Sequence, residues 1–201
     1  ITKLMDFVNS DLETSYLRNI AIIDDRQFVA TYSDLVNWEP HVAVFTRVEP
    51  EDVPDKEVLV LGAYYLDSEV RKHVIDFNKT NTNYRITVKD YSSYNTMDDY
   101  MAGYTQLNND IIAGKMPDIL MANNNVPVAN YIAKGLLADV GKLIENDEEL
   151  SQENFLQNVF DAYSVNGVLY RVVPTFSVNT IIGKTSVLGE RTGWNMEEFM
   201  Q

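Results

Sequence analysis

Asn108-Asn-Asp-Ile-Ile-Ala-Gly-Lys-Met-Pro-Asp-Ile-Leu120 is the stretch from which the fold can be read. It has the form of an amphipathic helix end, a glycine stop, a proline that prevents resumption, and a short buried strand. Gly114 suits the left-handed position just past a helix end, and Lys115 suits the negative end of the helix dipole. Pro117 biases the residue before it toward extended backbone, and Asp118-Ile-Leu-Met-Ala122 is short, apolar and bounded by polar residues. Asn123-Asn-Asn125 then falls at the strand's C-terminal end, which is where open α/β sheets bind ligands.

The same alternation extends outward in both directions. Upstream, Val58-Leu-Val-Leu61 predicts a buried strand, Gly62-Ala-Tyr-Tyr-Leu-Asp67 its loop, and Ser68 the cap of a helix to about Lys79, with Val70, Val74 and Phe77 facing inward. Tyr84–Asp90 alternates as a half-buried strand followed by the loop Tyr91-Ser-Ser-Tyr-Asn95. Thr96 is read as the cap of a helix from Met97 to Ala113, with Tyr100, Tyr104, Leu107 and Ile111 on one face. Downstream, helices are expected over Val126–Lys134, stopped by Gly135, around Val140–Ile144, and from Ser151 or Asn154 to about Ala162. The turn dipeptide Asn166-Gly167 leads into a strand Val168–Val173 that Pro174 ends, and Ser177–Ile182 is a further extended run. Strands alternating with helices imply a largely parallel sheet and an α/β fold.

Residues 1–50 differ from the rest. A helix is expected over Thr2–Leu17 from Leu4, Phe7 and Val8, with Asn9-Ser10-Asp11 as a possible interruption. A hairpin follows over Asn19–Tyr32 around Asp24-Asp-Arg26, then a strand His41–Val48. This short β-rich segment reads as the tail of a preceding module, the Pro-containing acidic stretch 51–56 as a linker, and 57–201 as the α/β lobe. The start on Ile1, and an end one turn into a helix that Asn195 could cap, suggest part of a longer protein.

Composition narrows the function classes. A net charge of −14 over 201 residues argues against nucleic acid and against attraction to an anionic membrane. The two histidines, His41 and His73, lie far apart, so zinc chemistry and a histidine-based triad are disfavoured. The absence of cysteine excludes disulfides and thiolate catalysis within the chain. No apolar run reaches the roughly 18 residues of a membrane-spanning helix.

Residues 57–201 resemble the N-terminal lobe of an extracellular solute-binding protein of a bacterial ABC importer, in the carbohydrate-binding group related to maltose-binding proteins. The resemblance is carried by Glu57–Gly62, Val74-Ile-Asp-Phe-Asn78, Leu107–Leu120, Tyr131-Ile-Ala-Lys-Gly-Leu-Leu-Ala-Asp-Val140 and Asn166-Gly-Val-Leu-Tyr-Arg-Val-Val-Pro174. It implies a type II periplasmic-binding-protein-like lobe, mostly parallel with flanking helices and truncated before most of a second lobe. It also implies a carbohydrate ligand held between lobes, ABC permease subunits as partners, cell-surface anchoring as a lipoprotein, no cofactor or metal, and no chemistry. Residues 174–183 would be the hinge strand.

Each sugar ring offers an apolar face to an aromatic ring and hydroxyls to directed polar groups. Loops at the strands' C-terminal ends supply such groups: Tyr64, Tyr65 and Asp67; Asp90, Tyr91, Ser92 and Tyr94; Asn123, Asn124 and Asn125. The crossing segment adds Phe176, Ser177 and Asn179. Strand-end tyrosines can equally cover a sheet, and asparagine runs can simply make turns. Asp118 and Lys115 read as structural, His73 as an exposed helical histidine, and Trp194 as packing against a second lobe. Two other functions are compatible with the sequence. One is a peptide-binding or sensor module on the same lobes; the other is a glycosidase, for which Asp67 and Asp90 are the only pair of carboxylates to nominate.

Overall fold

The computed structural model describes residues 5–12, 17–33, 38–53, 55–147, 149–150 and 154–173, with single positions at 176, 184, 186, 189, 193 and 197. Within it the chain divides into two compact units, Ile1–Val128 and Ala129–Gln201. The stretch 51–56 falls inside the first unit.

The first unit holds two sheets. β1 (Leu17–Ile22), β2 (Gln27–Ser33) and β3 (Pro40–Thr46) form an antiparallel meander in which β2 is central. Its hairpin turns at Asp24, whose carboxylate accepts the Arg26 N–H, as expected of an Asp-rich turn. Phe28 stacks on Phe45 and Tyr32 on His41 across the β2–β3 pair. His41 thus packs against an aromatic ring, in line with a structural histidine.

The second sheet is parallel, in the order β5-β4-β6. β4 (Glu57–Ala63) runs two residues beyond the expected strand, and its first residues, Glu57 and Val58, are exposed while Leu61–Ala63 are buried. α1 (Ser68–Thr80) crosses to β5 (Tyr84–Asp90). The residue capping α1 is Asp67, not Ser68: its carboxylate accepts the Glu69 N–H. Leu61, Ala63, Leu66 and Val74 form the core, joined by Val8, Val70, Ile86, Val88 and Met121.

α2 covers only Ala102–Ile112, five residues shorter than expected at its start. Thr96 does accept an N–H, from Asp99, but this closes a turn ahead of the helix and leaves Tyr100 exposed. The helix ends as its sequence requires. Gly114 is left-handed (φ 72°), its N–H reaches Ile111 O, and the Lys115 N–H reaches Asp110 O, the paired bonds of a Schellman motif. β6 (Ile119–Met121) then joins β4, and the Asp118 carboxylate accepts the Val60 N–H at 2.8 Å, extending the pairing by one bond. Asp118 is structural, as its position after Pro117 suggested.

The expected helix over residues 2–17 is absent among the described residues. A single 3-10 turn, Val8–Ser10, ends on a left-handed Asp11 (φ 59°), and Leu17 already belongs to β1. The reason lies far along the chain. The Asn9 carboxamide accepts the Val88 N–H (2.7 Å) and donates to Val88 O (3.1 Å), and Asp11 accepts two bonds from Arg85 (2.9 and 3.0 Å). Asn78 on α1 pairs with Ile86 in the same way, accepting its N–H at 2.7 Å and donating to its carbonyl at 2.9 Å. β5 pairs with β4 on one side only, so two side-chain amides satisfy its outer edge where a strand otherwise would.

The second unit contains α3 (Val128–Ala133, which opens at the division), α4 (Val140–Glu145), α5 (Gln157–Tyr163) and a two-stranded hairpin, β7 (Ser164–Val165) with β8 (Val168–Leu169). Asn166 and Gly167 both have positive φ, as a type I′ turn needs. β8 is therefore a short hairpin arm, where a six-residue strand was expected. α5 starts three residues past Asn154, and α4 is capped by Asp139.

Candidate ligand-binding site

The expected site residues sort into three groups, decided by how their polar atoms are bonded. The first is a closed knot. Tyr64 and Tyr104 stack with ring centroids 3.8 Å apart and planes 9° from parallel. Tyr64 Oη donates to Tyr100 O at 2.7 Å and accepts from Asn95 Nδ2. Tyr104 Oη accepts from Asn123 Nδ2 at 2.6 Å and from Asn125 Nδ2 at 3.2 Å, while Asn123 Oδ1 takes the Asn125 N–H. Gly103 lets α2 approach this closely: a Cβ there would stand 2.3 Å from Tyr91 O and 2.9 Å from the Tyr64 ring. Tyr64 and Asn123 thus join β4, α2 and the loop after β6, and their hydrogen-bonding groups are engaged within the protein.

The second group is a buried clamp. Tyr91, a fully buried residue, cannot present its ring to a solute. Its hydroxyl donates to Asp110 Oδ2 at 2.9 Å, where Lys89 Nζ also donates at 2.5 Å, and Gln106 Nε2 donates to Asp110 Oδ1 at 2.9 Å. The Lys89 hydrogen bond holds the Asp110 carboxyl below the usual carboxylate range, and the same bond raises Lys89. Burial pushes the Tyr91 hydroxyl up to about 12. Neither Lys89 nor Asp110 was a candidate. The available signal was the i, i+2 spacing of Lys89, near the end of β5, and Tyr91, just past it, opposite an acid on the inner face of a helix.

The third group opens to solvent. Tyr65, 72% exposed, and Tyr94, 44% exposed, border a cavity of about 480 Å³ with Asp90 between them in sequence. Leu66, Arg71, Val88, Lys89 and Ser93 complete its lobe side, and Asp6, Val8 and Asn9 its other side. Tyr94 also stacks loosely on Tyr91, at 6.1 Å between ring centroids, which ties the exposed ring to the core. The size lies within the range of small-molecule pockets, and exposed rings beside a carboxylate suit a polyhydroxyl ligand. Asp90 Oδ1 accepts from the Ser92 N–H and hydroxyl, so its carboxylate is held in place at the rim.

The structure therefore brings Tyr65, Asp90 and Tyr94 to one cavity, which Tyr64, Tyr91 and Asn123 do not line. Asp67 is the α1 cap, and Asn124 is exposed in the turn after β6. Each of the two carboxylates nominated for glycosidase chemistry accepts a backbone N–H two residues on: Asp67 that of Glu69 in the first turn of α1, and Asp90 that of Ser92. Phe176 is exposed in the second unit, whereas Ser177, Asn179 and the hinge over 174–183, Phe176 excepted, lie outside the described residues, as does Trp194. His73 is exposed on α1, as expected. Among the described residues, no group of His, Cys, Asp and Glu could hold a metal, and no helix is long and apolar enough to cross a membrane.

Residues 62–192 match the family of bacterial extracellular solute-binding proteins. The chain belongs to that family. The match starts within β4 and takes in the loops that carry Tyr65, Asp90 and Tyr94, and it covers more than half of the sequence. The family is one of binding and transport, which places an extracellular, transport-linked small-molecule ligand at the centre of the protein's role. Comparison with curated proteins and with solved structures returned no match.

Proposed function

We propose that the protein captures a carbohydrate outside the cell and delivers it to the permease subunits of an ABC importer. The ligand, an oligosaccharide in this reading, binds on a type II lobe in a cleft that a second lobe completes, and the protein is held at the cell surface as a lipoprotein. The observation that carries the ligand class is the cavity bordered by the exposed rings of Tyr65 and Tyr94 and the fixed carboxylate of Asp90. Rings of this kind cover the apolar face of a sugar, and carboxylates accept its hydroxyls.

A thermal-shift screen against glucose, maltose, maltotriose, cellobiose and xylotriose tests this. A ligand at a hundred times its dissociation constant adds about 2.7 kcal/mol. For a protein of this size that raises Tm by roughly 5–10 °C. The expected result is a shift with one sugar class that disappears in Tyr65→Ala. A response to peptides and to none of the sugars would replace the carbohydrate with a peptide ligand on the same family fold.

A further inference from the structure

We infer that Tyr100, on the loop between β5 and α2, is a second stacking position for the ligand, and that the ligand is an oligosaccharide long enough to reach it from the cavity bordered by Tyr65 and Tyr94. This inference rests on the carbohydrate reading above.

The loop holds large apolar side chains in water. Met97, Tyr100 and Met101 are 89%, 70% and 50% exposed. Single exposed apolar residues are ordinary, but three within five positions form a patch, and such patches mark binding surfaces. Tyr100 has the spacing of an inner helical residue with Tyr104 and Leu107, yet α2 starts only at Ala102, so its ring is left outside the core.

The turn that carries the ring is fixed by bonds of its own. The Thr96 N–H reaches Asp99 O at 3.0 Å, Thr96 Oγ1 accepts the Asp99 N–H at 3.0 Å, and Asp99 Oδ1 accepts the Met101 N–H at 2.8 Å. Asn95 Oδ1 accepts the Gly103 N–H at 3.0 Å and closes the loop across its base. A turn held in this way presents its ring and thioethers before a ligand arrives, so little conformational entropy is lost there on binding.

Its place is the ligand end of the sheet. The loop follows the C-terminal end of β5, where open α/β sheets bind solutes. Asn95 Nδ2 donates to Tyr64 Oη, which itself donates to Tyr100 O at 2.7 Å, so one oxygen joins the two arms of the loop. Tyr94, on the cavity rim, precedes Asn95 by one residue. The exposed rings of Tyr94 and Tyr100 therefore stand on arms that meet, although Tyr100 does not line the cavity itself. A single sugar ring seated in the cavity leaves Tyr100 uncovered. A chain of rings has apolar faces for both positions, and Met97 and Met101 can adapt their shape to it.

Titration calorimetry with the full chain tests this, using the maltose, cellobiose and xylobiose series, each from two rings to four. In the wild-type protein the responding series should bind about fivefold more tightly as it lengthens, the gain of one stacked ring. Tyr100→Ala should abolish that gain while leaving Tm and the disaccharide Kd in place, since the carbonyl that bonds Tyr64 is main chain. Tyr100→Phe, which keeps the ring, should keep the gain. If the wild-type protein binds a sugar and loses it in Tyr65→Ala, but shows no gain with length or keeps the gain in Tyr100→Ala, the second position is overturned and the carbohydrate reading stands. If the wild-type protein binds none of the sugars, the carbohydrate reading falls, and the second position falls with it.

Discussion

Two tyrosine clusters lie at the C-terminal ends of β4 and β5, and their polar atoms are bonded in different ways. In the Tyr64–Tyr104 cluster both hydroxyls and the amides around them bond to one another, and the rings stack face to face. In the Tyr65–Tyr94 cluster the rings stand exposed beside a cavity, and Asp90 is fixed by its own loop. Tyr64 and Tyr65 are neighbours in sequence but turn in opposite directions from the strand end. A polar residue near a ligand site is available to a ligand only to the extent that the protein has not already engaged it. The first cluster rigidifies the platform, and the second can meet a solute.

The comparison can be broken most forcefully at Tyr91, which lies beneath both clusters. Tyr91→Ala removes a fully buried ring and should cost about 4 kcal/mol. That lowers Tm by roughly 8–16 °C in a scanning calorimeter. A ligand-contacting Tyr91 would instead leave Tm in place and weaken binding alone. Asp110→Asn comes next. It removes a carboxylate that is only 10% exposed and leaves Lys89 without its counter-charge; because the Lys89 side chain is 36% exposed and can be hydrated, chemical denaturation should show a loss of about 1–2 kcal/mol.

The same clamp sets a pH window, whose signs follow from the shifts. Asp110 titrates below its ordinary 3.8, so its contribution is present above that value and lost as pH falls through the lower, folded one. Lys89 is raised above 10.5, so its contribution is present below 10.5 and lost as pH climbs through the folded value. Tyr91, moved from 10.0 to about 12, adds a loss between those values. Tm of the wild-type protein should therefore lose this clamp's contribution below about 4 and above about 10, and Asp110→Asn should flatten the acid limb.

Smaller effects sharpen the contrast between the two adjacent tyrosines. Tyr64→Phe keeps the stack and deletes a hydroxyl with two partners, for a cost of about 1–2 kcal/mol and no change in sugar affinity. Tyr65→Ala should move stability by less than about 0.5 kcal/mol, since its ring is 72% exposed. Its effect belongs in the binding isotherm. Opposite results for the pair, with Tyr64→Phe impairing binding and Tyr65→Ala impairing stability, would reverse the assignment of the two clusters.

Much of the parallel sheet was legible in the sequence because its signals are local. The Gly114 stop, and beyond the sheet the Asn166-Gly167 turn of the β7–β8 hairpin, each need only their own neighbours, and each adopts the expected backbone. The N-terminal segment was not legible. Leu4, Phe7 and Val8 have helical spacing in the sequence, but the geometry around Val8 and Asn9 is set by Val88 and Arg85, which no local window contains. The site was half legible for a related reason. Composition placed aromatics, acids and amides at the right strand ends, yet could not tell that Tyr64 and Asn123 would each find a partner on other elements. A buried tyrosine such as Tyr104 requires a partner for its hydroxyl, and the asparagine run was the nearest supply.

The pairing of Asn9 with Val88 also has a consequence for how the chain is made. The two residues are 79 positions apart, and chains lengthen at about 5–20 residues per second during synthesis. Residue 9 therefore precedes its partner by roughly 4–16 s, long after a hairpin such as β1–β2 can form, which takes about 1–10 μs. The segment around Asn9 is synthesised well before the strand it docks on, and it can be seated only once β5 has emerged.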